Sequence, residues 1–367
     1  MGRAGGVRLR AHRPRPGPRL GDHHRRVLRG QARRRPAPGQ LPAGSDEARA
    51  DRLPPAGSPR GPGRVPGGAR GGIRMSSFKD TAMHGARQVK HWGFLAEKHG
   101  RALSTRTRNR VADVINPVRS RISPYSFDPS LYRRSFLVRP APPQKEPSQL
   151  PRQVFMVWTG ENDLTPARSR NLQATQEIVG VPVHLVRPEN LDDWLLPGHP
   201  LHPAYDQLSL VHRSDYLRAY LLHHYGGGYC VIKRALHDWN GSFDALEEHP
   251  DRWIIGYPEQ HVNDPARLPG RLGHDIRKHY SRLVSSGALI TRSHTDFTAE
   301  WLREIERRLD YFADQLAEFP GGIRGEVVGY PVSWTDVLGK IYHPLQLKHL
   351  PRILQDDRLE VELTDYR

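Results

Sequence analysis

Within RSDYLRAYLLHHYGGGYCVIK, residues 213–233, Asp215 and Arg218 stand three positions apart. On a helix that spacing puts both on one face, where the carboxylate can hold the guanidinium in place. An arginine so held can neutralise a phosphate or grip a hydroxyl, whereas the same pair on an open surface contributes little. A second point of chemistry is Trp158, at the exit of an apolar run, followed by Gly160. The indole can stack on a planar ring and the glycine lets backbone approach a ligand, although a tryptophan there also serves as plain core or rim. Ser285, Ser286 and Gly287 suit either a pocket-lining turn or an ordinary strand entry.

Other chemistries find no support. The chain has 20 histidines, but His223 and His224 are adjacent rather than four apart, and there is no HExxH or CxxC spacing. No GxSxG, Walker or dinucleotide fingerprint occurs. Glu300, Glu304 and Glu306 lie among Arg303, Arg307 and Arg308, which reads as a solvated charged helix face. The lone cysteine, Cys230, falls in an apolar run and reads as a buried, inert thiol.

The elements that must position these residues alternate strand and helix from Gln153 onward, the pattern of a mostly parallel sheet covered by helices. Strands are expected at Val154–Trp158, Pro182–Val186, Tyr229–Lys233, Trp253–Tyr257 and Ala288–Thr291. Helices are expected at Arg168–Val179, closed by Gly180, at Leu208–Tyr225, closed by the glycines 226–228, and at Thr295–Leu316. The stretch Gly329–Tyr342 closes the domain. Ligands of such sheets sit beyond the carboxyl ends of the strands.

Upstream, the composition changes. Residues 1–74 hold 18 Arg, no Lys, 11 Pro, 15 Gly, four acids and no aromatic residue, and carry most of the net charge of +17. Such a stretch cannot bury enough apolar surface to offset its chain entropy, so it is expected to be a disordered basic tail. Its Arg-over-Lys bias suits translation upstream of a true start near Met75 better than a nucleic-acid-binding arm, and no specific nucleic-acid partner is expected. Residues 75–151 combine a basic helical pattern, with Trp92, Phe94, Leu95 and Leu103, ending near Pro117, and a proline-rich linker over 138–151. That helix could dock on acidic lipid or a partner; packing on the domain by its apolar side is the favoured reading. No signal-peptide core or apolar span is present, and one cysteine suits a reducing compartment, so the expected location is the cytoplasm, including the inner face of the membrane.

The run SDYLRAYLLHHYGGGY resembles the signature of family 32 type and capsular-polysaccharide-synthesis glycosyltransferases, over residues 153–344. The resemblance implies a GT-A-like, Rossmann-type domain over 152–367. It also implies transfer of a sugar from a nucleoside diphosphate sugar to a glycan or lipid-linked acceptor in surface polysaccharide synthesis. By position, Trp158 and Gly160 would meet the nucleotide, with Gly226, Gly227, Gly228 and Tyr229 leading into the donor-site strand. Asp215 and Arg218 would contact the donor sugar, Ser333 and Trp334 of GYPVSWTDVLGKIYHP would lie over the diphosphate, and Asp336 and His343 would be metal or acceptor contacts.

One departure stands against the pattern. Where the family presents Asp-x-Asp or a single Asp to hold Mn2+ or Mg2+, this chain has Val231, Ile232 and Lys233. Transfer without metal, aided by Lys233, Arg234 and Arg218, competes with a catalytically degenerate homologue in a binding or regulatory role and with weaker cation binding by Asp215 and Asp336.

Overall fold

The computed structural model describes residue 105 and residues 107–362, all within the unit Met75–Arg367. The basic tail and Trp92, Phe94, Leu95 and Leu103 lie outside the described residues. The domain is α/β: a six-stranded mixed sheet flanked by helices.

In chain order, a helix over residues 107–122 (α1) precedes β1 (Val154–Val157), α2 (Pro166–Ile178) and β2 (Val183–Val186). Then come α3 (Leu210–His224), β3 (Gly227–Cys230), α4 (Asn240–Glu248), β4 (Ile254–Pro258) and α5 (Gly270–Lys278). The chain continues through β5 (Val284–Thr291), α6 (Asp296–Glu318), α7 (Gly339–Lys348) and β6 (Ile353–Gln355). The sheet order is β2-β1-β3-β5-β4-β6. β1 pairs in parallel with β2 and β3, and β4 with β6, whereas β5 runs antiparallel to both its neighbours.

Side chains alternate across each strand, and this divides the core in two. Phe155, Val157, Tyr229 and Leu289 face the layer of α3, α6 and α7. Val154, Met156, Cys230 and Ile290 face the layer that contains Trp239 and α4. Burial pushes the Cys230 thiol up to about 12, so it is an inert core group. Ser209 caps α3 by accepting from the His212 N–H, and Thr295 caps α6 by accepting from the Thr298 N–H.

Several expectations change. The strand expected at Tyr229–Lys233 lies earlier: β3 starts at Gly227 and ends at Cys230, and the Lys233 N–H folds back onto the Val231 carbonyl in a tight turn. The proline expected to end α1 does not. Pro117 cannot bond the Asp113 carbonyl one turn earlier, and the Tyr280 hydroxyl takes that acceptor at 3.1 Å. Over the described residues α1 packs by its polar side: Asn116 donates to the Arg277 carbonyl, Asp113 accepts from the Val262 N–H and Ser120 bonds His279. Nor is the acidic face of α6 solvated. Glu304 is buried between Arg307 and Arg308, and buried Glu300 bonds Lys348 and His349.

Candidate functional site

α3 runs across the inner face of β3, and this brings Asp215, Arg218 and Tyr229 together. Both charged residues are buried, with the Arg218 Nη2 3.2 Å from Asp215 Oδ1. The same nitrogen donates to the Tyr229 hydroxyl at 3.2 Å, and the guanidinium lies 4.4 Å from the centre of the Tyr229 ring. Arg218 Nε and Nη1 are buried without a hydrogen-bond partner. A buried guanidinium that leaves two nitrogens unmet is a site prepared for oxygen acceptors, because such donors are costly to leave unpaired. Burial pushes the Asp215 carboxyl up to about 6, against the pull of Arg218.

The carboxyl end of β1 joins this group through α3. Thr159 Oγ1 donates to the Leu210 carbonyl at 2.6 Å, tying the strand exit to the first turn of α3. Trp158 is half-buried beside it, its Nε1 donating to the Asn162 carbonyl at 2.8 Å, and Arg168 sits 5.1 Å from the indole. A Cβ on Gly160 would come within 2.5 Å of Asn162 Oδ1, so the turn is closed around its own side chain.

The late loop arrives from the other side. Tyr330 receives the Ser209 N–H at 3.1 Å, and its hydroxyl lies 2.8 Å from His212 Nδ1. Burial lowers the basicity of His212, which also meets the backbone of Trp334. Trp334 itself is 59% exposed, and exposed Ser333 gives its N–H to Asp336. Thus Trp158, Gly160, Asp215, Arg218, Tyr229, Ser333 and Trp334 all belong to elements that meet around α3.

The glycines do not belong there. Gly228 pairs with Val154 at the start of β1, so Gly226–Gly228 occupy the amino end of β3, away from Trp158. Gly226 and Gly227 have φ of +71° and +90°, and a Cβ on Gly227 would lie 2.8 Å from the Gln153 carbonyl. Their lack of side chains lets β3 enter beneath the linker; it does not shape the ligand end.

The proposed metal residues are engaged separately. Burial raises the Asp336 carboxyl, but hydrogen bonds from Lys340, at 2.6 Å, and from Ser333 outweigh it and leave it below its ordinary value. His343 is buried, with Nε2 3.0 Å from Glu259 and Nδ1 near the Ala266 N–H and the Gly339 carbonyl. After β3, Val231 is packed on the core and the Lys233 carbonyl accepts from Thr175. Val231 and Lys233 do not fit a divalent cation, since neither side chain can ligate one. Among the described residues, no group of three or more His, Cys, Asp or Glu is placed to hold a metal.

Three participants escaped sequence reasoning: His212, Tyr330 and Tyr342. The Tyr342 hydroxyl reaches the Ser285 carbonyl at 3.3 Å, and Ser285 lies within β5, not in a turn before it. Only the position of His212, one turn before Asp215 on the same helix, gave a readable signal. No described helix is long and apolar enough to cross a membrane. Comparison of the chain with protein-family models and with curated protein sequences finds no match.

Proposed function

We propose that this domain is a GT-A-like glycosyltransferase that takes a nucleoside diphosphate sugar at the carboxyl ends of β1 and β3. The sugar passes to a glycan or lipid-linked acceptor. The observation that carries the reading is buried Arg218, paired with Asp215 and Tyr229 yet holding two nitrogens with no partner. Donors of this kind suit the oxygen-rich sugar and diphosphate of such a ligand. Trp158 offers an aromatic face for the base at one side, and the Ser333–Trp334 loop covers the other.

Metal plays no part in the mechanism, because the residues after β3 cannot hold it. The charge of the departing diphosphate falls instead to Lys233, Arg234 and Arg218. Asp215 orients Arg218 and accepts from a sugar hydroxyl when ionised. Its carboxyl, held at about 6, is charged at neutral pH and neutral below that, so donor binding weakens as pH falls through this value.

The same valine also favours a second reading, a degenerate homologue that binds donor without turnover. Donor binding and hydrolysis over a panel of nucleotide sugars, with manganese, with magnesium and with chelator, separate the two. The expected result is turnover that survives chelation and falls about 100-fold in Lys233→Ala. Nucleotide binding without turnover supports the degenerate reading, and gain of metal-dependent turnover in Val231→Asp would show the remaining site intact. No nucleotide binding by the native chain overturns both.

A further inference from the structure

We propose that α1 seats this protein on an anionic phospholipid surface. Helices at protein surfaces normally turn their apolar stripe inward. α1 does the opposite. Asn109, Asp113, Asn116 and Ser120, spaced at three and four residues, carry its hydrogen bonds to the body of the domain. The opposite face bears Val111, Val114, Ile115, Val118 and Ile122, exposed by between 41% at Ile115 and 78% at Ile122. At 3.6 residues per turn these five fall in a stripe about 100° wide.

Charge identifies what covers the stripe. Arg108 and Arg119 fall along one border, Arg110 and Arg121 along the other, and all four are exposed. The one acid of the helix, Asp113, faces inward and holds the Val262 N–H. Beside the Arg108–Arg119 border lies a cavity of about 980 Å³ between α1 and α5, lined also by Arg267, Arg277 and Lys278 and by no carboxylate. An apolar stripe between two rows of arginine matches the boundary of a bilayer, where acyl chains meet anionic headgroups. A protein partner would need its own acidic, apolar groove; a bilayer offers both properties on a plane. Hydrogen bonds to α5 and to the loop before it fix α1 on the domain, so the surface is presented without a folding step on contact. This assignment does not depend on the reaction proposed above.

The test uses the full chain. Because residues 1–74 carry 18 arginines that attract anionic vesicles by charge alone, the readouts must isolate the apolar stripe. In Val118→Cys the new thiol takes an environment-sensitive fluorophore selectively, since Cys230 is buried. Phosphatidylglycerol-containing vesicles should shift its emission to the blue and pure phosphatidylcholine vesicles should not. In co-sedimentation at high salt, the triple variant Val114→Ser, Val118→Ser, Ile122→Ser should bind about tenfold or more weakly than the native chain, with its melting curve unchanged. Arg119→Glu with Arg121→Glu should lose about 25-fold or more at moderate salt, roughly fivefold per charge removed. Emission unmoved by anionic vesicles, or equal binding by the triple variant, overturns the proposal. So does emission already blue in buffer, which would mean another part of the chain covers the stripe. A stripe-dependent dimer without vesicle binding would assign the face to a second copy instead.

Discussion

Arg218 and Asp215 depend on each other because both are buried. Removing Arg218 leaves a carboxylate buried without its counter-charge, which costs about 3–5 kcal/mol when a buried pair is broken. The pH dependence of that cost has a definite sign. Asp215 is already held at about 6, above its ordinary value, and loss of Arg218 raises it further. A carboxyl raised on folding favours the folded state at low pH and loses that contribution as pH rises through the folded value. Arg218→Met should therefore lose more stability at pH 8 than at pH 5 in urea denaturation. Adding Asp215→Asn should recover part of the loss. The spacing of this pair was legible in the sequence. Its burial was not, since an i, i+3 pair looks the same on an open helix, and only the fold decides that Tyr229 stands beneath the guanidinium.

At the scale of elements, most of the longer strands and helices were legible to within a few residues, and the exceptions have physical causes. β6 is three residues long and α4 and α5 are nine residues each, so none of them stood out along the chain. Two prolines that would ordinarily end a helix are tolerated because a distant side chain takes the acceptor each one strands. For Pro117 it is the Tyr280 hydroxyl on the Asp113 carbonyl; for Pro344 in α7 it is Arg308, whose Nη2 reaches the Lys340 carbonyl at 3.4 Å. Such rescue is invisible along the chain, since the rescuing residue is far away in it. The triple glycine was legible as a requirement but not in its purpose. Gly227→Ala forces a side chain into a left-handed conformation against the Gln153 carbonyl. It should lower stability by about 1–3 kcal/mol without changing the affinity of the ligand end, as read by thermal melting and nucleotide titration.

Across the described domain, a large share of the acid response comes from where α3 ends. His199, His223, His224 and His294 cluster there, with neighbouring ring centres 4.6 to 5.0 Å apart for the closest contacts. Burial, reinforced by the neighbouring imidazoles, holds His223 at about 3 and His224 at about 4. Neutral histidines therefore favour the folded state above their unfolded value near 6.5, and that contribution is lost as pH falls from there towards 4. Glu306 lines the same crevice, Thr298 bonds His223, and Glu146 acts on His294, so the cluster is not wholly without compensation. The urea midpoint should fall across this window by the equivalent of about 3 kcal/mol, allowing for solvent at the cluster edge. His224→Gln should flatten that decline.

The position of β3 has a kinetic consequence. It is a central strand of four residues, two of them glycines, and it carries little preference of its own for an extended state. Its neighbours are β1, more than seventy residues earlier, and β5, more than fifty later. Closing loops of that length precedes any gain from the pairing, so strands of this kind enter late during folding. Tyr229 and the cluster around Arg218 thus take shape only once both halves of the sheet have met, and a chain arrested before that step can hold helices but not the Asp215–Arg218–Tyr229 group.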